Sequence, residues 1–140
     1  MAFFRLAKTF EVEYGHRLSK HPEKCRFPHG HSLRIEVVVR GRELDEHDMV
    51  CDFKAIKALV ADIIDRLDHG MALNSADPQL EGLRAIGDRV LLFEDMDPTS
   101  EVVARWIYQE MAKRLKSTTS IETPAGISYS LPAGLELERI

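Results

Sequence analysis

The hydrophobic positions near the N-terminus recur at every second residue, in two separate runs. In the first run, residues 4–18, the apolar side chains are Phe4, Leu6, Phe10, Val12 and Tyr14. In the second run, which precedes the turn-rich "GRELDEHD", they are Leu33, Ile35, Val37 and Val39. A period of two is typical of a strand with one buried face. The pattern predicts two strands, and we expect them to pair antiparallel.

The period changes to three or four residues in two later segments, which predict amphipathic helices. The first is "CDFKAIKALVADIIDRLDHG", with an N-cap candidate in Asp52 and a stop at Gly70. The second is "PTSEVVARWIYQEMAKRLK", which opens at Pro98 and ends in basic residues that suit a helix C-terminus. Between them, from Met71 to Pro98, no period is clear, and we assign neither a helix nor a strand to this segment.

Two short segments near the C-terminus, "TTSIET" and "GISYSL", predict strands around a turn at residues 124–126. The element order is then strand, strand, helix, helix, strand, strand. We therefore expect one α+β domain over residues 1–140, in which a four-stranded antiparallel sheet is covered on one side by two helices.

Composition and charge limit the classes of function. The chain has 140 residues, of which 44% are hydrophobic and 30% charged, and no apolar run approaches the length of a membrane span. We expect a cytoplasmic protein, since the N-terminus does not resemble a signal peptide and the two cysteines need not pair. The net charge of −4 argues against a nucleic-acid partner. A basic group of residues still allows a small anionic ligand: Arg17, Lys20, Lys24 and Arg26.

The sequence "CRFPHGH", residues 25–31, suggests a metal site. His29 and His31 are two apart on the second predicted strand, so both side chains point to the same face. His16 shares the face of the apolar residues on the first strand. Antiparallel pairing can bring the three imidazoles together, and three histidines with an open fourth position are typical of catalytic zinc.

Cys25 and Cys51 need separate interpretations. Cys25 could be a small buried residue, a fourth zinc ligand that closes the site, or a thiolate acid or base favoured by the charges of Lys24 and Arg26. We favour the thiolate, because the loop before the strand can hold the sulfur away from the metal. We expect Cys51 only to pack in the core.

The end of the first predicted helix carries a carboxylate and an imidazole side by side, Asp68 and His69. They could act as an oriented acid/base pair or simply end the helix. By residue type alone Glu122 is a solvated charge, and His21 and His47 carry no predicted function.

Six motifs occur in a fixed order along nearly the whole chain: "GHRL", "C-x3-HGH", "MVCDF", "LDH-x3-LN", "DPTSE" and "IET". In this order they resemble the 6-pyruvoyl tetrahydropterin synthase family. The three-residue spacer between Cys25 and "HGH" is similar to the bacterial branch that makes 6-carboxy-5,6,7,8-tetrahydropterin for queuosine biosynthesis. The resemblance implies a tunnelling fold (T-fold), in which ββααββ subunits join their sheets into a barrel. It also implies a homohexamer, a dimer of trimers with active sites between subunits.

The resemblance also implies roles for individual residues. Three histidines would hold zinc: His16, His29 and His31. Cys25 would be the catalytic thiolate, and Asp68 with His69 would supply a second acid/base. The pterin would be bound by Glu122, Thr99 and Ser100. We expect Lys24 and Arg26, with Lys20, to contact a triphosphate.

The implied substrate is 7,8-dihydroneopterin triphosphate, cleaved to 6-carboxytetrahydropterin, acetaldehyde and triphosphate. Tyr14 and Gly15 stand where the family often has small Ala or Ser residues, and the segment Ser75 to Met96 is longer than in compact members. Either could shift the substrate, so a 6-pyruvoyl tetrahydropterin synthase or a dihydroneopterin-cleaving variant remains an alternative. Two other classes remain open: a non-catalytic subunit stabilised by a Cys-His₃ zinc site, and a GTP-hydrolysing cyclohydrolase.

Overall fold

The computed structural model describes residues 2–140, and its elements follow one another as seven strands and three α-helices, with a short 3-10 turn at Lys24–Arg26. The strands and helices, in chain order, are β1 (Phe4–His16), β2 (His29–Gly41), α1 (Phe53–Leu67), β3 (Met71–Asn74), α2 (Leu80–Arg84), β4 (Val90–Phe93), α3 (Ser100–Ser117), β5 (Ser120–Glu122), β6 (Ser128–Ser130) and β7 (Glu136–Arg139). No helix in residues 2–140 combines the length and apolar character that crossing a bilayer requires.

The strands form two sheets. One has five strands in the order β4-β3-β1-β2-β7, and the other is the pair β5-β6. β3 runs parallel to both β1 and β4, whereas β7 runs antiparallel to β2. The α+β class is confirmed.

The register of β1 against β2 follows from two polar pairs across the strands. The hydroxyl of Ser32 donates to the carboxylate of Glu13 at 2.8 and 2.9 Å, and Arg34 contacts Glu11 at 3.4 Å. Residue numbers rise along β1 as they fall along β2, so the two strands run antiparallel and the predicted pairing is confirmed. Continued by three residues, this register sets His16, the last residue of β1, opposite His29, the first residue of β2.

The sheet differs from the predicted four antiparallel strands, because it has five strands and is mixed. Two of them, β3 and β4, lie in the segment for which no element was predicted, and each has four residues. Such a short run shows no period. β7 was missed for a related reason, since "ELER" carries more charge than apolar surface. The predicted terminal hairpin exists as β5 and β6, but it forms its own sheet.

The described chain divides into two compact units, each with its own buried side chains. The first comprises residues 2–10, 35–62 and 106–140, and its core includes Val37, Val39, Ile56, Val60, Ile107 and Met111. Cys51 belongs to this core, and burial, followed by the charges of Asp45 and Asp52, raises the pKa of its thiol to about 12. The predicted packing role of Cys51 agrees with this burial.

The second unit comprises residues 11–34 and 63–105. Its core includes Val12, Tyr14, Ile63, Leu67, Leu73 and Leu91, together with three buried polar residues that the sequence analysis did not single out: Asn74, Asp77 and Asp97. The three histidines of the candidate metal site all belong to this unit.

Candidate metal centre and its cleft

Three imidazoles converge where β1 ends and β2 begins. The Nε2 atom of His16 lies 3.0 Å from that of His29 and 3.2 Å from that of His31. Their possible ligand atoms all lie within 4.8 Å of one another. His16 is buried, His29 is half-buried and His31 is exposed, so the cluster is open on one side. The predicted convergence of these histidines is confirmed.

Backbone carbonyl groups fix the protonation of two of these rings. The Nδ1 atom of His16 lies 2.7 Å from the carbonyl oxygen of Pro98, and that of His29 lies 2.7 Å from the carbonyl oxygen of Phe27. A carbonyl oxygen only accepts, so in each ring Nδ1 carries the proton. A neutral imidazole then presents a lone pair on Nε2, and the two lone pairs face each other.

Two facing lone pairs repel each other unless a cation lies between them. In a tetrahedral zinc site with Zn–N bonds of about 2.0–2.1 Å, the ligand nitrogens lie roughly 3.3 Å apart. The observed separations are close to that value. Burial lowers the pKa of His16 more than the Pro98 carbonyl raises it, which favours the neutral, metal-binding ring. The donor set therefore fits a divalent metal ion such as Zn²⁺.

Tyr14 adds a hydroxyl group to the buried side of this cluster. Its hydroxyl oxygen lies 3.2 Å from Nδ1 of His16, and its ring centroid lies 6.2 Å from that of His31. Burial raises the pKa of Tyr14, so the phenol stays neutral. From the sequence, Tyr14 was predicted to lie on the buried face of the first strand and was noted as a departure from the family, but no role at the metal site was predicted for it. The signal that could have marked it is its position two residues before His16, on the same face of β1.

A cleft of about 750 Å³ opens beside the cluster. His29, His31 and His69 all line it. Four apolar lining side chains come from β3, β4 and the region of α2: Met71, Leu83, Ile86 and Val90. Polar and charged residues line it as well: Glu13, Ser32 and Arg89. The segment Ser75 to Met96 therefore supplies part of the cleft wall.

Asp68 and His69 are held against β1. The backbone N–H of Glu13 donates to Oδ1 of Asp68 at 2.9 Å, and the N–H of His69 donates to the carbonyl oxygen of Glu13 at 2.6 Å. The other oxygen of Asp68 lies 3.1 Å from Nδ1 of His69. The Glu13 hydrogen bond, reinforced by the one from His69, lowers the pKa of Asp68. The predicted pair therefore has the geometry of a carboxylate that orients an imidazole.

His69 also has an unusual backbone conformation. Its φ is 57°, in the left-handed region, at the position just after α1 where glycine is most common. Its side chain is 79% exposed and lies at the cleft. A non-glycine residue in this conformation is often found at functional sites.

Cys25 lies in the 3-10 turn and is half-buried. Its carbonyl oxygen accepts a hydrogen bond from Leu18 at 2.9 Å. Among residues 2–140, the candidate metal ligands are only the three histidines, and Cys25 is not among the residues that line the cleft. The described ligand group therefore consists of three histidines, and whether Cys25 contacts the metal stays a prediction.

The predicted basic group is smaller than expected. Arg17 forms an ion pair with the buried Asp77 and donates to the carbonyl oxygen of Arg26 at 2.8 Å, so its charge is already neutralised. Lys24 and Arg26 are exposed on the turn. Sequence reasoning missed the Arg17 to Asp77 pair, because the two residues are far apart in the chain.

The three residues predicted to bind a pterin belong to different compact units: Thr99 and Ser100 to the second and Glu122 to the first. Thr99 uses its hydroxyl to accept from the N–H of Val102 at 3.2 Å, which caps α3, and the exposed Ser100 begins that helix. Glu122 belongs to the first unit, where it ends β5 and is exposed. The turn predicted after it is present, with Gly126 at a φ of 77°.

Comparison with known proteins gives a consistent result. Residues 5–124 match the model of the family described as 6-pyruvoyl tetrahydropterin synthase. The chain is 30% identical to the 6-carboxy-5,6,7,8-tetrahydropterin synthase of Aquifex aeolicus, with 81% of this chain and 82% of that protein covered. It is 32% identical to a probable 6-carboxy-5,6,7,8-tetrahydropterin synthase of Halobacterium salinarum, with 84% and 80% covered.

A solved structure supports the fold. The 6-pyruvoyl tetrahydropterin synthase of Plasmodium falciparum superposes with a TM-score of 0.63 at 14% identity, over 81% of this chain and 80% of that one. The tunnelling fold of the single subunit is confirmed, whereas the barrel formed between subunits stays a prediction.

Proposed function

The chain belongs to the 6-pyruvoyl tetrahydropterin synthase family, and on that premise we propose that it is a 6-carboxy-5,6,7,8-tetrahydropterin synthase. It would convert 7,8-dihydroneopterin triphosphate to 6-carboxytetrahydropterin, acetaldehyde and triphosphate, a step towards queuosine and related 7-deazaguanines. The names of the similar proteins and the three-residue spacer after Cys25 support this branch. The observation that carries the proposal is a His₃ metal centre and an Asp-His pair on one cleft.

We propose zinc as the metal, held by His16, His29 and His31. When bound, zinc would act as a Lewis acid that stabilises negative charge on the oxygens of the substrate's side chain. The carbonyl groups of Pro98 and Phe27 keep two of the ligand rings in the tautomer that this requires.

His69 is proposed to move a proton at the substrate's side chain. Asp68 lies against Nδ1, which would leave Nε2 to act on the substrate. Because hydrogen bonds lower the pKa of Asp68, this residue stays a carboxylate and stabilises the imidazolium that forms when His69 accepts a proton.

Cys25 is proposed as the second proton-transfer group, a thiolate that removes a proton from the substrate's side chain. It is a free, half-buried thiol between two basic residues. Its sulfur is separate from the metal ligands, which leaves it available as a base.

The remaining contacts are also proposals. Glu122 would anchor the pterin, because a carboxylate can accept two hydrogen bonds from the neighbouring N–H groups of the 2-amino-pyrimidinone edge. Thr99 and Ser100 would line the pterin pocket, and Lys24 and Arg26 would contact the triphosphate. We propose a homohexamer, in which sheets closed between subunits leave no free edges. The free thiols of both cysteines support a cytoplasmic location.

Mass spectrometry of the reaction products tests the proposal. Zinc-loaded protein is mixed with 7,8-dihydroneopterin triphosphate, and metal-free protein serves as the control. We expect 6-carboxytetrahydropterin and acetaldehyde only from the zinc-loaded sample. Formation of 6-pyruvoyl tetrahydropterin would retain the family and the site but reject the branch. An unchanged substrate would reject the catalytic proposal in favour of a non-catalytic zinc-stabilised subunit.

A further inference from the structure

Behind the metal centre lies a buried carboxylate to which no role has been given so far. Asp97 is 9% exposed and lies in the loop between β4 and α3, directly before Pro98. It is not among the candidate metal ligands and does not line the cleft. Burying a carboxylate is costly unless hydrogen bonds compensate, so its partners matter.

Asp97 accepts three hydrogen bonds from two other segments of the same unit. The hydroxyl of Ser19 donates to Oδ1 at 2.6 Å, and the buried amide of Asn74 donates to the same oxygen at 3.1 Å. The backbone N–H of Lys20 donates to Oδ2 at 2.8 Å. The carboxylate therefore joins the chain after β1, the end of β3 and the loop before α3.

Pro98 follows Asp97 in the chain and contacts the candidate metal ligand His16. Pro98 is fully buried, and its carbonyl oxygen accepts the Nδ1 proton of His16 at 2.7 Å. The carbonyl of Asp97 itself accepts from the N–H of Thr99 at 2.8 Å, which closes a turn around Pro98. The direction of the Pro98 carbonyl is thus fixed by the anchoring of Asp97 on one side and by α3 on the other.

We propose that Asp97 is a positioning residue for the metal centre, whose carboxylate aims the Pro98 carbonyl at His16 and so selects the tautomer and orientation that bind metal. The inference rests on the proposed metal site. A partner of this kind typically changes metal affinity by tenfold to a hundredfold, and Asp97 acts one step further away. We therefore expect an effect of about tenfold.

The test is Asp97→Asn, with zinc affinity measured by competition with a chromogenic chelator. An asparagine cannot satisfy the site, because its NH₂ group must face either the N–H of Lys20 or the amide of Asn74, and both are donors. Ile107→Val is the matched control: it trims a buried side chain in the other unit and should also lower thermal stability. We expect the zinc dissociation constant to rise about tenfold in Asp97→Asn and to stay unchanged in Ile107→Val.

Two further measurements keep the test decisive. Ser19→Ala removes one donor and keeps the charge, so it should raise the dissociation constant by a smaller factor, about threefold. It decides the question if Asp97→Asn does not fold. In metal-free protein, the His16 Nδ1 proton should give an NMR signal that Asp97→Asn weakens or shifts.

The outcomes separate the two proposals. Wild-type protein that binds no zinc overturns both the metal site and this inference. Wild-type protein that binds zinc, with folded Asp97→Asn and Ser19→Ala variants of unchanged affinity, overturns only the positioning role and leaves Asp97 as a structural residue.

Discussion

At the scale of single residues, side-chain direction decides which groups meet. His16, His29 and His31 could be placed together from the sequence, because alternation along a strand fixes the face of each residue. The same reasoning could not find Asp97 or the pair of Arg17 with Asp77. Their contacts join segments far apart in the chain, and nothing in the local pattern of either partner indicates the other.

His69 combines a backbone cost with a proposed chemical role. Its left-handed φ costs a non-glycine residue about 1 kcal/mol. We expect His69→Gly to leave the free energy of unfolding unchanged or slightly higher, and to lower turnover by at least a hundredfold. Urea denaturation and product formation measure the two effects. His69→Asn, which tolerates the same φ, serves as the control for backbone conformation. Full turnover by either variant would remove the imidazole from the mechanism.

Cys25 should matter for turnover and not for metal binding, because its sulfur is separate from the His₃ cluster. We expect Cys25→Ser to keep one zinc per chain by elemental analysis while losing at least a hundredfold in turnover. Cys51→Ser provides the contrast, since Cys51 is buried in the core and should affect stability. A Cys25→Ser protein that purifies without zinc would show that the sulfur is a ligand.

At the scale of elements, the two long strands and two long helices are predictable because each repeats its period several times. The strands β3, β4 and β7 are not, since four residues give too few repeats, and parallel pairing depends on where α1 returns the chain. The path of the chain between α1 and β3 matters for the site, because this connection carries His69 and Gly70 directly before β3 begins.

Gly70 lies between the end of α1 and the start of β3, directly after His69. A Cβ atom there would lie 2.3 Å from the carbonyl oxygen of Arg66, so Gly70→Ala must shift the helix end that carries His69. We expect a loss of about 1–3 kcal/mol in the free energy of unfolding, together with a lower kcat. Gly82→Ala in α2 is the control, since its Cβ would meet nothing within 4 Å. Equal stability of both variants in urea denaturation would contradict the close contact.

At the scale of the whole molecule, the α+β class and the family could be predicted from the sequence, but the mixed five-stranded sheet could not. The homohexamer remains a prediction, because a single chain does not show which of its sheet edges another copy covers. Carboxylates with lowered pKa values, in contrast, allow a prediction for the stability of the whole molecule in acid.

Three carboxylates have hydrogen bonds that lower their pKa: Asp45, Asp68 and Asp97. A lowered pKa in the folded state means that their stabilisation is complete above the unfolded pKa of about 3.9 and is lost as the pH falls through the folded values. We expect metal-free protein to lose stability steadily below about pH 4. Urea denaturation at several pH values checks this. A midpoint that does not change between pH 5 and pH 3 would contradict it.

The proposed function depends on an open zinc site made of three histidines from two strands, and zinc K-edge X-ray absorption on the zinc-loaded protein is the measurement to make first. We expect nitrogen or oxygen neighbours only, at about 2.0–2.1 Å, with a position left for water or substrate. A sulfur neighbour at about 2.3 Å would contradict it, because Cys25 would then close the site and make the metal structural.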